Sequence, residues 1–129
     1  MILFIRTDKS EAEIALYEDS KCIEHYTWFA HRELSTTLHR KIEEMLSRYD
    51  KSWSDITGIV VFKGPGSFTG LRIGFTVANV MSLILAVPIV SCLGDNWIAD
   101  GIARLGDGEN EKISVPEYGG LPNITTPKK

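Results

Sequence analysis

The sequence predicts an α/β domain: a five-stranded mixed sheet that opens with a three-strand antiparallel meander and carries helices packed on it. Three observations predict it. The first 29 residues hold three apolar or alternating runs, joined by polar turns short enough for hairpins. The chain beyond them switches between helical and strand patterning. In its middle a short apolar run meets a glycine-rich turn and then a long apolar segment, the order strand, turn, helix.

Met1 to Ile5 is an apolar run, as suits a central strand buried on both faces. Glu11 to Tyr17 alternates, with Ala12, Ile14 and Leu16 set against Glu11, Glu13 and Ala15, the pattern of a half-buried strand. Lys21 to Phe29 is rich in β-branched and aromatic residues and makes the third strand. Glu33 to Tyr49 is a helix with Leu34, Leu38, Ile42 and Met45 along one face, and Glu44 and Arg48 spaced as an i,i+4 pair. A polar joint, Asp50 to Asp55, leads into a fourth strand, Ile59 to Phe62. A second helix runs from Leu71 to Ala86 and is ended by Pro88. Ile89 to Cys92 is a fifth strand, and Asp95 to Arg104 a short closing helix. Gly106 to Glu111 reads as a polar linker. The tail holds Pro116, Gly119, Gly120, Pro122 and Pro127, which exclude a regular helix or a central strand. The expected organisation is a domain over 1–104, a linker over 105–114 and a tail over 115–129.

At 129 residues the chain is one domain by length, with 43% apolar and 24% charged residues. A net charge of −3 leaves no broad electrostatic footprint for nucleic acid. Cys22 and Cys92 lack metal or redox spacing and are expected as two buried, reduced thiols. Arg6 interrupts the opening apolar run, so no signal peptide is expected. The apolar stretch 71–93 contains Arg72, Asn79, Ser82 and Pro88 and reads as a core helix and strand rather than a membrane span. The expected compartment is the cytoplasm.

The turn Gly64, Pro65, Gly66, Ser67, Phe68, Thr69, Gly70 has the local physics of an anion cradle: flexible glycines, N-capping Ser67 and Thr69, and a helix N-terminus. It matches no nucleotide motif. The Walker lysine is absent, Thr69 stands where a dinucleotide fingerprint needs glycine, and Ser67 does not sit in a Gly-x-Ser-x-Gly elbow. A tight packing turn is the preferred reading over phosphate binding.

The second helix carries no charge after Arg72. Ile73, Val77, Met81 and Ile84 form one stripe, expected to pack on the sheet. Arg72, Thr76, Asn79 and Ser82 form a second, weakly polar stripe flanked by Val80 and Leu83. A helix facing water normally carries lysines and glutamates there. Such a face is either covered by the chain's own tail or is a protein interface. The interface is preferred, because little chain is left to cover it.

The eleven residues GPGSFTGLRIG resemble the signature of the TsaB (YeaZ) family. The opening MILFIRTDKSEAEIALYED resembles that family's first strand pair, and VPEYGGLPNITTPKK its tail, where Pro-x-Tyr precedes a basic finish. The likeness covers residues 1–104 and 115–129. It implies the ribonuclease H-like lobe of actin-type (ASKHA) folds, and a shortened form lacking most of the family's second lobe. It also implies a non-catalytic subunit serving threonylcarbamoyladenosine synthesis in tRNA, beside the TsaD catalytic subunit and the TsaE ATPase. TsaB-like proteins pair through the two helices of this lobe, with themselves or with TsaD. By that resemblance Leu34, Leu38, Arg72, Thr76, Asn79, Val80 and Leu83 are the candidate interface. Many relatives have small residues at the positions of Thr76, Val80 and Ile84, so bulkier side chains here would hold a partner helix further away.

Arg6 stands where the family's first strand has its IDTS aspartate, which removes a metal-binding carboxylate and argues against magnesium-nucleotide hydrolysis. The TsaD metal motif, His-x-Glu-x-His, has no counterpart, and His25, His31 and His39 lack ligand spacing. Glu43 and Glu44 read as a solvated helix face. Trp28, Trp53 and Trp97 read as packing residues, since no basic residues interleave with them. In the tail, the arginine that often follows the family's tyrosine by two residues is Gly120 here, and Lys128 and Lys129 are too few for a nucleic-acid arm. The sequence therefore predicts a scaffold without cofactor, metal or direct nucleic-acid contact. Self-pairing without an assembly role and weak nucleotide binding at the turn are the alternatives.

Overall fold

A computed structural model describes residues 1–117. Its elements are β1 (Ile2–Arg6), β2 (Glu11–Glu18), β3 (Lys21–Phe29), α1 (Leu34–Ser47), β4 (Gly58–Phe62), α2 (Phe68–Leu85), β5 (Ile89–Cys92) and α3 (Trp97–Gly106). Short 3₁₀ turns at His31–Glu33 and Trp53–Asp55 precede α1 and β4. The sheet order is β3-β2-β1-β4-β5, with β1 antiparallel to β2 and parallel to β4. The fold is the predicted one: a meander extended by two parallel strands.

Side-chain alternation distributes two cores across the sheet. Leu3, Ile5, Ile14, Leu16, Ile59, Val61 and Ile89 face α1 and α2, which contribute Leu34, Leu38, Ile42, Met45, Leu71, Phe75 and Ala78. Phe4, Ala15, Val60, Phe62, Val90 and Cys92 face the other way, against Trp97 and the apolar side of α3. Phe4 and Phe62 each meet the Trp97 ring edge-on, with centroids 5.6 Å apart. Leu3, Phe4 and Ile5 are all fully buried, as expected of a central strand. Ala15 is buried too, so β2 is covered on both faces at that point.

Three local expectations are corrected. Arg48 reaches across to Glu24 on β3 as a two-point ion pair of 3.1 and 2.5 Å, while Glu44 takes Lys41 at 3.8 Å. Glu24 is held half-buried on the sheet and can meet the planar guanidinium with both oxygens, a geometry an exposed helical glutamate offers less readily. Cys22 is exposed on the edge strand β3, and only Cys92 is buried. The segment expected as a linker is pinned to the sheet, as described below. The tail expectation at Tyr118 and Gly120, and the rest of 118–129, lie outside the described residues.

Candidate functional site

The glycine turn links β4 to α2 and rests on the loop after β1. Ser67 caps α2, its Oγ accepting from Gly70 N at 3.3 Å, and Ser67 N donates to Asp8 O at 2.7 Å. Thr69, the other capping candidate, lies inside the helix. Gly64 alone of the turn's glycines has positive φ, at 111°. Gly66 packs against Asp8, and Gly70 lies so close to Thr7 O that any side chain would overlap it. Thr7 Oγ1 donates to Gly70 O at 2.7 Å. Packing thus accounts for the glycines, the preferred reading of the sequence. Pro65, Phe68 and Thr69 are exposed, and the Arg72 guanidinium lies 5.6 Å from the Phe68 ring centre.

The sheet-facing side of α2 is not the stripe the sequence suggested. Leu71, Gly74, Phe75, Ala78 and Ser82 are buried, whereas Ile73, Val77 and Met81 are only half-buried and Ile84 is 67% exposed. Small residues take the line of closest approach: Gly74 sits directly on Thr7, and Ser82 turns its hydroxyl onto Val87 O at 2.6 Å. The helix is thereby rotated, and its bulky residues move to the flank beside α1 and to the outside.

Of the candidate interface residues, Arg72, Thr76, Val80 and Leu83 are exposed, Leu83 at 82%. With Ile84 they form one outward face that carries no carboxylate or lysine. A groove of about 450 Å³ between α1 and α2, lined by Ser35, Thr69, Arg72, Ile73, Thr76 and Val77, borders this face. Leu34 and Leu38 are corrected: both are buried in the core, at 5% and 0%, and cannot touch a partner. Their spacing already marked the core face of α1. Asn79 is half-buried, and its amide is engaged within the chain, with Ser114. By length and mean hydropathy of 1.5, α2 is also the one described helix that could cross a membrane, yet one side of it rests on the sheet.

Residues 109–114, expected as part of a linker, are bonded to the edge of β5 and to α2. Asn110 Oδ1 accepts from Ile89 N at 3.1 Å, and Glu111 N donates to Ile89 O at 2.8 Å. The Glu111 carboxylate accepts from Ser91 N, Ser91 Oγ, Ser114 Oγ and Arg104 Nη2 at 2.5 to 3.1 Å. Burial raises the affinity of this carboxyl for its proton, but the hydrogen bonds from Ser114, Ser91 and Arg104 outweigh it and hold it below the usual value. Arg104 is raised, through its bond to Glu109 first and, among others, that to Glu111. The nearest legible hint was the Asn-Glu pair within an otherwise featureless polar run.

Arg6, at the end of β1, holds Asp8 with both Nε and Nη2 at 2.8 and 3.2 Å and lies 3.8 Å over the Phe62 ring. It is a structural ion pair that closes the end of β1. Trp28 donates to Thr37 Oγ1 and Trp53 to Glu43, while Trp97 is core. Among the described residues no three His, Cys, Asp or Glu side chains converge as metal ligands.

The profile of the TsaD family, tRNA N6-adenosine threonylcarbamoyltransferase, matches residues 28–92, just over half of the chain. The chain belongs to this family. Within it, the resemblance is to the TsaB (YeaZ) members. The tRNA threonylcarbamoyladenosine biosynthesis protein TsaB of Bacillus subtilis is 35% identical over 88 residues, covering 68% of this chain and 38% of that protein. YeaZ from Pseudomonas aeruginosa superposes with a TM-score of 0.64 at 22% identity, over 71% of this chain and 44% of that one. RuvC of T. thermophilus, solved with a Holliday junction substrate, superposes at 0.53 and 10% identity, over 91% and 83%. The ribonuclease H-like fold expected from the TsaB resemblance is therefore present. The chain spans less than half the length of the TsaB and YeaZ relatives it matches.

Proposed function

We propose that this chain is a non-catalytic partner subunit in the threonylcarbamoyladenosine modification of tRNA, and that it acts by pairing through the outer face of α2. The observation that carries the reading is the exposure of Val80, Leu83 and Ile84 side by side on a helical face whose one charge is Arg72. A solvated helix would place lysine or glutamate at such positions, and apolar side chains there gain by being covered. Relatives named for this modification, and the TsaD family itself, support a TsaD-type catalytic subunit as the partner; a TsaE-type ATPase in the same assembly is part of the proposal. The chain contributes surface rather than chemistry in this reading. Arg6 is committed to Asp8, and the glycine turn is filled by Thr7 and Asp8. The working compartment is the cytoplasm, where tRNA is modified.

Light scattering on the chain, alone and mixed with TsaD from the same source, tests the proposal. A mixed complex that Leu83→Asp and Val80→Asp abolish, with the fold intact, is the expected result. Pairs that survive both substitutions overturn it. Because Val80 and Ile84 are bulkier than the small residues of many relatives, a second reading is a homodimer through the same face. A dimer that ignores TsaD selects that reading.

A further inference from the structure

The two edges of the sheet are protected by different means. On β3, the outer strand at one end, Lys21, Glu24 and His25 interrupt the apolar pattern, and the β2–β3 ladder shifts register between Leu16 and Tyr17. Charges and irregular pairing of this kind discourage strand addition. β5, at the other end, is Ile-Val-Ser-Cys, uncharged and buried along its whole length. Nothing on the strand itself would repel another strand.

Its protection comes from outside. Ile59 N donates to Pro88 O and Lys63 N to Cys92 O, so the backbone groups of Ile89 and Ser91 point away from β4. All four of these outward groups are occupied by the following segment. Asn110 Oδ1 and Glu111 N take Ile89 N and O. Glu111 Oε2 takes Ser91 N at 3.1 Å, and Arg104 Nη1 donates to Ser91 O at 2.5 Å. The arrangement is held from behind as well: Glu111 bonds Arg104 and Ser114, and Ser114 is gripped by Asn79 of α2. Three side chains and the backbone N–H of Glu111 thus occupy the places where a sixth strand would bond.

We propose that Arg104, Asn110 and Glu111 form a latch over the β5 edge, and that opening it lets β5 pair with β5 of a second copy of this chain. The exposed groups would be two N–H and two C=O in alternation. The same set on a second copy, antiparallel about a two-fold axis, completes them with no charge opposed. This pairing uses a surface separate from the outer face of α2 and does not depend on it.

The test is the double variant Asn110→Ala/Glu111→Ala. Amide exchange at Ile89 and Ser91 is expected to quicken about tenfold or more while Phe4 in β1 is unchanged, since local opening sets exchange at an edge. The mass by light scattering is expected to rise with concentration relative to the parent chain, whatever the parent's own state. Adding Ser91→Pro removes an outward N–H without touching the β4 ladder, and is expected to return the mass to that of the parent. Unchanged exchange overturns the latch. Faster exchange without added mass, or association that survives Ser91→Pro, overturns the pairing. If the double variant loses its far-UV dichroism, Glu111→Gln decides by the same exchange and mass readings.

Discussion

Asn79 holds Ser114 at both of its backbone groups, Nδ2 donating to Ser114 O at 2.9 Å and Oδ1 accepting from Ser114 N at 2.8 Å. The amide thereby acts as a strand of one residue, tying the segment after α3 to the side of α2. Asn79→Asp keeps the shape but turns a donor into an acceptor facing a carbonyl. We expect a loss of about 1–3 kcal/mol in urea unfolding, the usual cost of leaving a half-buried polar group unmatched. Amides of residues 111–115 should exchange faster in the variant, and unchanged protection there would count against this role.

That contact also explains how much could be read in advance. The strands, their order of appearance and both long helices followed from periodicity, because Leu3 to Ile5 or Leu38 to Met45 can be buried in few other ways. The register of α2 did not follow. Counting apolar residues put Ile73, Val77, Met81 and Ile84 on the sheet, but closeness of approach selected Gly74, Ala78 and Ser82 instead. Hydrophobicity scales do not reward a glycine for being small. The clasp at Asn110 and Glu111 was hidden for a related reason: it consists mostly of side chains satisfying the backbone of a distant strand, which leaves no periodic trace in the sequence.

The approach of α2 to β1 is therefore a place where one methyl group matters. A Cβ at Gly74 would overlap the Thr7 side chain, and one at Gly70 would overlap Thr7 O. Gly74→Ala requires Thr7 to turn and is expected to cost about 1–3 kcal/mol as overpacking. Thr7→Ala removes the hydroxyl and the methyl that a Cβ at Gly74 would meet, and although it gives up the bond to Gly70 O it should relieve part of that loss in the double variant. Thermal unfolding of the four chains gives the coupling directly, and strict additivity would refute the contact.

Glu111 makes a prediction about stability through pH. Its folded pKa lies below the ordinary value of 4.5, so the unfolded chain binds the proton more tightly. Its contribution is present above about pH 4.5 and is lost as pH falls through the lower folded value. Glu111→Gln should be less stable than the parent at pH 7, and the difference should shrink on acidification. A difference that is constant from pH 7 to the acid limb would contradict the hydrogen-bonding account.

The two cysteines should separate cleanly in a thiol assay. Cys22 is exposed on β3. Cys92 is 5% exposed, and burial raises its pKa against the opposing pull of Arg104. In the native chain one thiol per molecule is expected to react quickly at pH 8, and Cys22→Ser should abolish that phase. Two equally fast thiols would mean that α3 does not cover β5 as described.

Leucines on two helices distinguish core from surface. Leu38 is fully buried beneath α1, whereas Leu83 is 82% exposed on α2. Both were candidates for one interface, and a charge at each should now have opposite consequences. Leu38→Asp places an unpaired carboxylate in the main core and is expected to unfold the chain, since such burial costs several kcal/mol against a total stability of about 5–15 kcal/mol. Leu83→Asp should leave the unfolding midpoint within about 0.5 kcal/mol of the parent, as exposed substitutions do. Its effect should appear only in association. If the two variants unfold alike, α2 is covered within the monomer, and the partner face must be sought elsewhere.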